Sequence, residues 1–142
     1  MTPSAEVYGP PPEGVQDAAW TWTNLLQLGV SRHACRGCVL SDGRFAVLGG
    51  SIGTSTVAVS SCEALVIGDD AALWQPFAPM HDARSEFTCE VVAGCIIVVG
   101  GASPLACTSA EIYDEALDRW FRLPCDFTRP WLYSCASALV KS

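Results

Sequence analysis

The sequence has little positive charge and no long hydrophobic run. Lys and Arg number 8 against 15 Asp and Glu, so the formal net charge is −7 at neutral pH. Nucleic acids and anionic membranes recruit clustered cations, and the cations here are scattered, so we expect neither as a partner. The longest apolar stretch, residues 91–101, is about half as long as a membrane-spanning helix and ends in Gly-Gly. It is predicted to be a buried strand.

Motifs of the common enzyme classes are also missing. The chain contains no Gly-x-Ser-x-Gly elbow, no phosphate-binding loop and no His-Glu-x-x-His helix. Its two histidines, His33 and His81, have no metal-ligand companion at short spacing. We therefore predict no catalytic residue, no metal site and no bound cofactor, and we expect that the protein is not an enzyme.

Residues 1–14 lack the basic and apolar regions of a secretory signal. We therefore expect a cytoplasmic location, with the nucleus as the alternative. Cysteines in a reducing compartment stay as thiols, and we expect this of the 8 cysteines here.

The chain does contain an internal repeat of about 50 residues. Four markers recur in the same order: an arginine, an apolar run that ends in Gly-Gly, a segment with a glutamate, and a tryptophan. The arginines are Arg32, Arg84 and Arg129, and the tryptophans are Trp22, Trp74 and Trp120. The spacing varies between the markers, as expected when insertions fall in loops.

Each unit contains short β-type runs separated by turn residues. In the second unit these are TCEVVAG, CIIVVGG, SAEIYD and DRWFRL. The first two are apolar on both faces, as in a strand covered on both sides, and the last two alternate with polar residues. Gly-Gly allows a sharp exit from the second strand. Radially stacked sheets of four such strands form a propeller.

These residues resemble the kelch family. Its repeat has an arginine before the first strand, an apolar second strand ending in Gly-Gly, a Glu-x-Tyr-Asp-like third strand and a tryptophan in the fourth. The second unit matches almost throughout, whereas the first has Leu65 at the tyrosine position. The resemblance covers roughly residues 4–140. It implies an all-β fold of kelch β-propeller blades, each of four antiparallel strands, in an incomplete ring of about two full blades plus parts of two others.

The predicted units are the end of a kelch blade at 3–24, kelch repeats at 32–76 and 84–123, and the start of a further repeat at 129–142. An open arc of blades exposes apolar surface at both ends. We therefore expect either a fragment of a longer propeller, which is favoured, or a homo-oligomer in which copies close the ring.

The recurring charged residues are predicted to be structural. Glu6, Glu63 and Glu111 occupy matching third-strand places, and each is followed by the arginine that opens the next unit. A catalytic acid would not recur once per blade, so we expect Glu–Arg pairs that brace one blade or join neighbours. The resemblance implies that the recurring tryptophans, Trp22 included, wedge between blades. The structural set is Glu63, Arg84, Glu111, Arg129, Gly49, Gly50, Gly100, Gly101, Trp74 and Trp120.

Two cysteines form a Cys-x-x-Cys pair, Cys35 and Cys38, which is found in zinc and redox sites. No second pair follows, although a structural zinc site usually needs one. Cys38, Cys89 and Cys135 recur at the same place after the opening arginine. This recurrence favours small core residues over a metal site.

The resemblance also implies where a ligand binds. Kelch proteins usually bind ligands at one rim, through residues just after the Gly-Gly and just after the opening arginine, and loops on a rigid scaffold commonly carry binding residues. None of these places is Arg or Lys here, which disfavours an acidic peptide and favours a neutral or basic segment. The candidate rim residues are His33, Ser51, Ile52, Ser85, Glu86, Ser103 and Trp131, with Ala34, Ala102 and Pro130 beside them.

The resemblance implies a protein–protein interaction module that binds a protein or peptide, as an adaptor, a scaffold or the substrate receptor of a ubiquitin ligase. The chain carries no BTB or F-box segment. One alternative is part of a kelch-propeller enzyme whose active site lies in other blades. Copper-radical oxidases of this kind need histidine ligands and a Tyr–Cys cross-link, and two histidines are too few. The other alternative is a self-assembling half-propeller.

Overall fold

The computed structural model describes residues 4–9, 19–54, 57–67, 72–103 and 105–124. This part of the chain contains only strands, turns and loops, and none of it forms an apolar helix that could cross a membrane. In chain order the strands are β1 (Ala5–Gly9), β2 (Thr21–Leu25), β3 (Arg32–His33), β4 (Arg36–Val39), β5 (Phe45–Leu48), β6 (Ser51–Ile52), β7 (Cys62–Ile67), β8 (Ala72–Phe77), β9 (Thr88–Val92), β10 (Cys95–Val99), β11 (Ala102–Ser103), β12 (Leu105–Ala106), β13 (Ala110–Asp114) and β14 (Arg119–Arg122).

Two four-stranded antiparallel sheets form two complete blades. Blade 1 has the strand order β4-β5-β7-β8, and blade 2 has the order β9-β10-β13-β14. Their registers are equivalent, because Val47 lies opposite Glu63 in blade 1 and Val98 lies opposite Glu111 in blade 2. The predicted all-β fold with blades of four antiparallel strands is confirmed, and the blades in the described part of the chain do not close a ring.

A separate antiparallel pair, β1 and β2, precedes blade 1. It corresponds to the third and fourth strands of a blade, as the match of residues 3–8 and Trp22 to the closing half of the repeat indicates. Trp22 does not wedge between blades here: it is 68% exposed and packs against Tyr8, with the ring centroids 5.2 Å apart. The third-unit residues, Arg129 and Trp131 among them, lie outside the described residues.

The hydrophobic core lies between the two complete blades. Leu48 and Cys62 of blade 1 pack in one cluster with Phe87 and Trp120 of blade 2 and with Met80, which lies between the blades in sequence. Burial of this apolar surface is the main force that holds the blades together.

Each Gly-Gly pair turns the chain at the end of the second strand of its blade. All four glycines have positive φ, between 56° and 97°, which other residues adopt only with strain. At Gly49 there is no room for a side chain, because a Cβ atom would lie 2.5 Å from the carbonyl oxygen of Arg84. The second strand of blade 1 therefore exits directly against the start of blade 2.

Candidate functional site

The predicted contact positions of blade 1 meet at one rim. The residues after the opening arginine and those after Gly-Gly form a short antiparallel pair, β3 with β6, in which His33 lies opposite Ser51. In blade 2, Ser85 and Ala102 are joined by two backbone hydrogen bonds of 3.0 and 2.9 Å. The same construction is therefore present in both blades, and it extends the sheets beyond the glycine turns.

The rim is continuous from one blade to the next. Ala34 and Glu86 occupy equivalent places and both have positive φ, 52° and 56°. The backbone N–H of Glu86 donates to the carbonyl oxygen of Ala34 at 2.9 Å. This backbone contact holds the two rim turns in a defined relation, which is the preorganisation that a binding surface requires.

The candidate rim residues differ in accessibility. Ile52 is 43% exposed, and His33, Glu86 and Ser103 are half-buried. Ser51 and Ser85 are buried, and the Ser85 hydroxyl donates to the carbonyl oxygen of Ala102 at 3.3 Å. These two serines thus shape the rim from beneath, because both residues are buried. Trp131 and Pro130 lie outside the described residues.

Sequence reasoning missed one rim residue, Leu105. It begins β12, which pairs with β11 in a tight hairpin directly after the predicted contact residue Ser103, and it is 80% exposed. An isolated leucine among small and polar residues carries no periodic signal. Its only sequence signal is its place in the loop that follows Gly100-Gly101.

Among the described residues, one buried side-chain polar atom near the rim has no partner. Nδ1 of His33 is buried and makes no hydrogen bond within the described structure. Buried polar atoms in native proteins are nearly always hydrogen-bonded, so this nitrogen is an unsatisfied polar atom beneath the rim.

A buried ion pair supports the rim of blade 2. The Arg84 guanidinium donates to the Glu111 carboxylate at 2.9 Å, and both side chains are fully buried. Arg84 also donates to the carbonyl oxygens of Gly100 and Ser109, at 2.8 and 2.9 Å. It therefore ties the glycine turn to the start of the third strand, beneath the residues that form the rim.

Blade 1 repeats this arrangement with Arg32 and Glu63. Arg32 donates to Glu63 and to the carbonyl oxygens of Gly49 and Ser61. The sequence left open whether such pairs brace one blade or join neighbours. In the structure Glu63 and Glu111 each pair with the arginine that opens their own unit, so both pairs lie within one blade.

Each glutamate also holds the segment that leads into its blade. Glu63 accepts the backbone N–H of Gly29 at 2.8 Å. Glu111 accepts the N–H groups of His81 and Asp82 at 2.7 and 3.0 Å. A carboxylate that accepts several N–H groups beside an arginine has its hydrogen-bonding capacity filled, so these buried charges are well compensated.

The fourth-strand tryptophans contact the same lead-in segments. Nε1 of Trp120 donates to the carbonyl oxygen of Ala78 at 2.8 Å, and that of Trp74 donates to Leu26 at 2.9 Å. Trp120 is buried, whereas Trp74 is half-buried. In both blades the outer strand is thereby joined to the chain that precedes the blade.

A tyrosine and an aspartate add a second link in blade 2. The Tyr113 hydroxyl donates to Asp118 at 2.7 Å, and the N–H of Ala78 donates to the same carboxylate oxygen. Burial, and then the bond to Asp118, raises the pKa of the Tyr113 phenol. The bond from Tyr113 is in turn the main cause that lowers the pKa of Asp118. Blade 1 has Leu65 at the equivalent place and lacks this link.

We expect Tyr113→Phe to lower the free energy of unfolding by about 1 kcal/mol at neutral pH, a small loss because Asp118 is exposed. The folded-state pKa of Asp118 is depressed, so its contribution is present above the unfolded-state pKa and is lost as pH falls through the folded value. The variant should therefore lose less stability than the wild type between pH 7 and about pH 3. Urea unfolding at both pH values measures this, with Tyr8→Phe on the exposed β1 as the control. An equal loss in variant and wild type would contradict the assignment.

A groove of about 390 Å³ adjoins the rim of blade 2. Its lining includes Ser103 and Leu105 at the rim end and Cys107, Asp82 and Arg122 further down. Asp82 accepts a hydrogen bond from Arg122, so the charged groups are already paired. No group of three or more His, Cys, Asp and Glu side chains in the described part of the chain could hold a metal ion.

Comparisons with known proteins agree with this architecture. The family model of the kelch motif matches residues 83–125, which include blade 2 and its opening arginine. An F-box/kelch-repeat protein of Arabidopsis thaliana is 30% identical over 101 residues, which are 65% of this chain and 26% of that protein.

A solved structure is also similar. A fungal alcohol oxidase in complex with copper superimposes with a TM-score of 0.67 at 21% sequence identity, over 80% of this chain and 27% of the oxidase chain. At this identity the likeness concerns the fold alone. This chain spans about a quarter of the length of both proteins.

Proposed function

This chain is a kelch-repeat protein, and on that basis we propose that its rim binds a protein or peptide ligand. The observation that carries the proposal is the pair of exposed apolar side chains, Ile52 and Leu105, on a rim whose backbone is fixed by buried ion pairs. Apolar side chains on a rigid, polar-rimmed surface are the usual anchors of a protein interface.

The charges at the rim favour a neutral or basic ligand segment. Glu86 is the charged residue among the described contact positions, and neither Arg nor Lys occurs at them. We therefore infer a ligand segment with an apolar side chain to cover Ile52 or Leu105 and a cationic or neutral group near Glu86.

We expect Ile52→Asp and Leu105→Asp each to weaken ligand binding about tenfold or more, which corresponds to about 1.4 kcal/mol. A charged group on the rim must be desolvated when the ligand covers it. Peptides selected from a random library on the wild-type chain serve as probes, and fluorescence anisotropy gives their dissociation constants. Glu86→Gln should weaken the basic peptides more than the neutral ones.

Leu117→Asp is the matched control, because Leu117 is 64% exposed in the turn between β13 and β14. It should change the dissociation constant less than twofold. Peptides that bind the two rim variants as tightly as the wild type, or that lose affinity only for the control, would exclude the rim as the binding surface.

A finer proposal is that the bound protein is a substrate for ubiquitylation. It is supported by the likeness to an F-box/kelch-repeat protein, which covers 65% of this chain. A protein that binds this chain through Ile52 should then accumulate in cells when the gene that encodes this chain is deleted. It should also accumulate when the proteasome is inhibited. An unchanged half-life after both treatments would leave the interaction module in place and remove the ubiquitin-ligase role.

A further inference from the structure

Two cysteines meet where the complete blades contact each other. Cys38 lies on β4 and Cys89 lies on β9, the first strands of the two blades, and these strands pack side by side. The backbone N–H of Glu86 donates to Ala34, and the Arg36 side chain donates to the carbonyl oxygen of Phe87, so Cys38 and Cys89, two residues beyond Arg36 and Phe87, lie side by side. Both are free and half-buried, at the edge of the core between the blades. Their recurrence in the repeat therefore brings two sulfur atoms together.

The surroundings of the pair favour loss of one proton and oppose loss of the second. A hydrogen bond from the Cys89 thiol lowers the pKa of the Cys38 thiol, although burial and the nearby Glu115 act against this shift. The pKa of Cys89 is raised, first by the same hydrogen bond and then by burial, with Arg36 opposing and Glu90 adding to the shift. A thiolate beside a thiol is the arrangement in which one sulfur reacts first and the other resolves the product.

We propose that Cys38 and Cys89 form a site of oxidative modification, at which a hydroperoxide converts the thiol pair into a disulfide that links the two blades. In the first step the Cys38 thiolate attacks the terminal oxygen of the hydroperoxide. The O–O bond breaks, Cys38 becomes a sulfenic acid, and the alkoxide or hydroxide takes up a proton. In the second step the Cys89 sulfur attacks the Cys38 sulfur. The S–O bond breaks, and the hydroxyl group leaves as water with the proton of Cys89.

The two thiols together lose two electrons to the peroxide, and the products are a disulfide, one water and one alcohol, or a second water when the oxidant is hydrogen peroxide. The other nearby thiol does not compete. Cys62 is buried, and burial raises the pKa of its thiol to about 12, so it remains protonated. Cys35, the Cys-x-x-Cys companion of Cys38, lies against Gly50 instead.

The test is peptide mapping of the 142-residue chain after treatment with one equivalent of hydrogen peroxide and alkylation of the remaining thiols. We expect the principal product to be a linked pair of peptides that contain Cys38 and Cys89. Cys38→Ser and Cys89→Ser should each abolish this product. Cys95→Ser, a change at the start of β10, should leave it unchanged.

A second measurement distinguishes a cross-link between blades from a local change. The oxidised wild type should unfold at a temperature higher by roughly 5 °C or more, because the disulfide closes a long loop between the blades, and dithiothreitol should reverse the rise. A disulfide needs Cβ atoms about 3.8 Å apart. Oxidation that produces only sulfinic acid at Cys38, or a principal disulfide from Cys35, would overturn the proposal. These outcomes leave peptide binding at the rim untouched, so the two proposals fail separately.

Discussion

Replacing Glu111 by Gln is expected to lower the free energy of unfolding by about 3 kcal/mol or more. The carboxylate compensates the fully buried Arg84 and also accepts two backbone N–H groups from the segment before blade 2. A glutamine amide removes the negative charge and places an NH₂ group among donors, so the guanidinium loses its main counter-charge. Loss of one partner from a buried pair costs far more than loss of a surface pair.

Urea unfolding followed by tryptophan fluorescence measures the change. Glu115→Gln is the control, because Glu115 accepts hydrogen bonds from Ser41 at an exposed site and its amide can still accept them. Its expected cost is about 0.5 kcal/mol or less. If Glu111→Gln were as stable as the wild type but no longer bound the selected peptides, Glu111 would be a ligand contact and not a structural residue.

The second large effect is expected for Gly49→Ala, which should destabilise the chain by about 3 kcal/mol. The Cβ atom would lie 2.5 Å from the Arg84 carbonyl oxygen and 3.0 Å from side-chain atoms of Met80 and Phe87. All three belong to the segment that begins blade 2, so the added methyl group pushes the blades apart. The left-handed conformation, with φ of +56°, adds a further penalty for alanine.

Gly53→Ala separates the two causes. Gly53 has a similar φ of +64°, but nothing lies within 4 Å of the position that a Cβ atom would take there. It should therefore show only the conformational penalty, about 1–2 kcal/mol. Hydrogen exchange at the Gly50 amide, which donates to Arg84 across the blade junction at 2.7 Å, should accelerate in Gly49→Ala and not in Gly53→Ala. Equal losses in both variants would show that the junction tolerates the methyl group.

The regular strands of blade 2 were predictable because their residues repeat a pattern. The runs 88–94 and 95–101 contain β9 and β10, and the runs 109–114 and 118–123 contain β13 and β14. Turn residues separate the runs, and the glycines that end the second strand have positive φ angles. Local propensity and the tertiary fold agree throughout this unit.

The pairing of the charges was not predictable from spacing. Glu63 lies 31 residues after Arg32, and Arg84 follows Glu63 after an even shorter stretch of chain. The structure selects Arg32, because its guanidinium also satisfies the carbonyl oxygens of Gly49 and Ser61. Which arginine pairs with Glu63 thus depends on contacts to backbone carbonyl groups. Every residue has such a group, so the amino-acid sequence does not reveal these contacts.

The short rim strands were also beyond prediction. The strands β3, β6, β11 and β12 contain two residues each, and two residues have no periodicity. The positions of the rim residues followed from the repeat. Their exposure did not, because the register of the short pairs decides that Ser51 and Ser85 are buried while Ile52 and Leu105 face solvent.

The last two strands of each blade bind the segment that precedes the blade, so the order of synthesis determines when the junction between the blades can form. The N–H of His81 donates to Glu111, which lies 30 residues further along the chain. The carbonyl oxygen of Ala78 accepts a hydrogen bond from Trp120, which lies 42 residues further along. A nascent chain that leaves the ribosome with blade 1 complete therefore carries an unanchored segment at its growing end. The junction becomes stable only when the fourth strand of blade 2 has emerged. The contact between blade 1 and blade 2 therefore forms only after the whole of blade 2 has been synthesised.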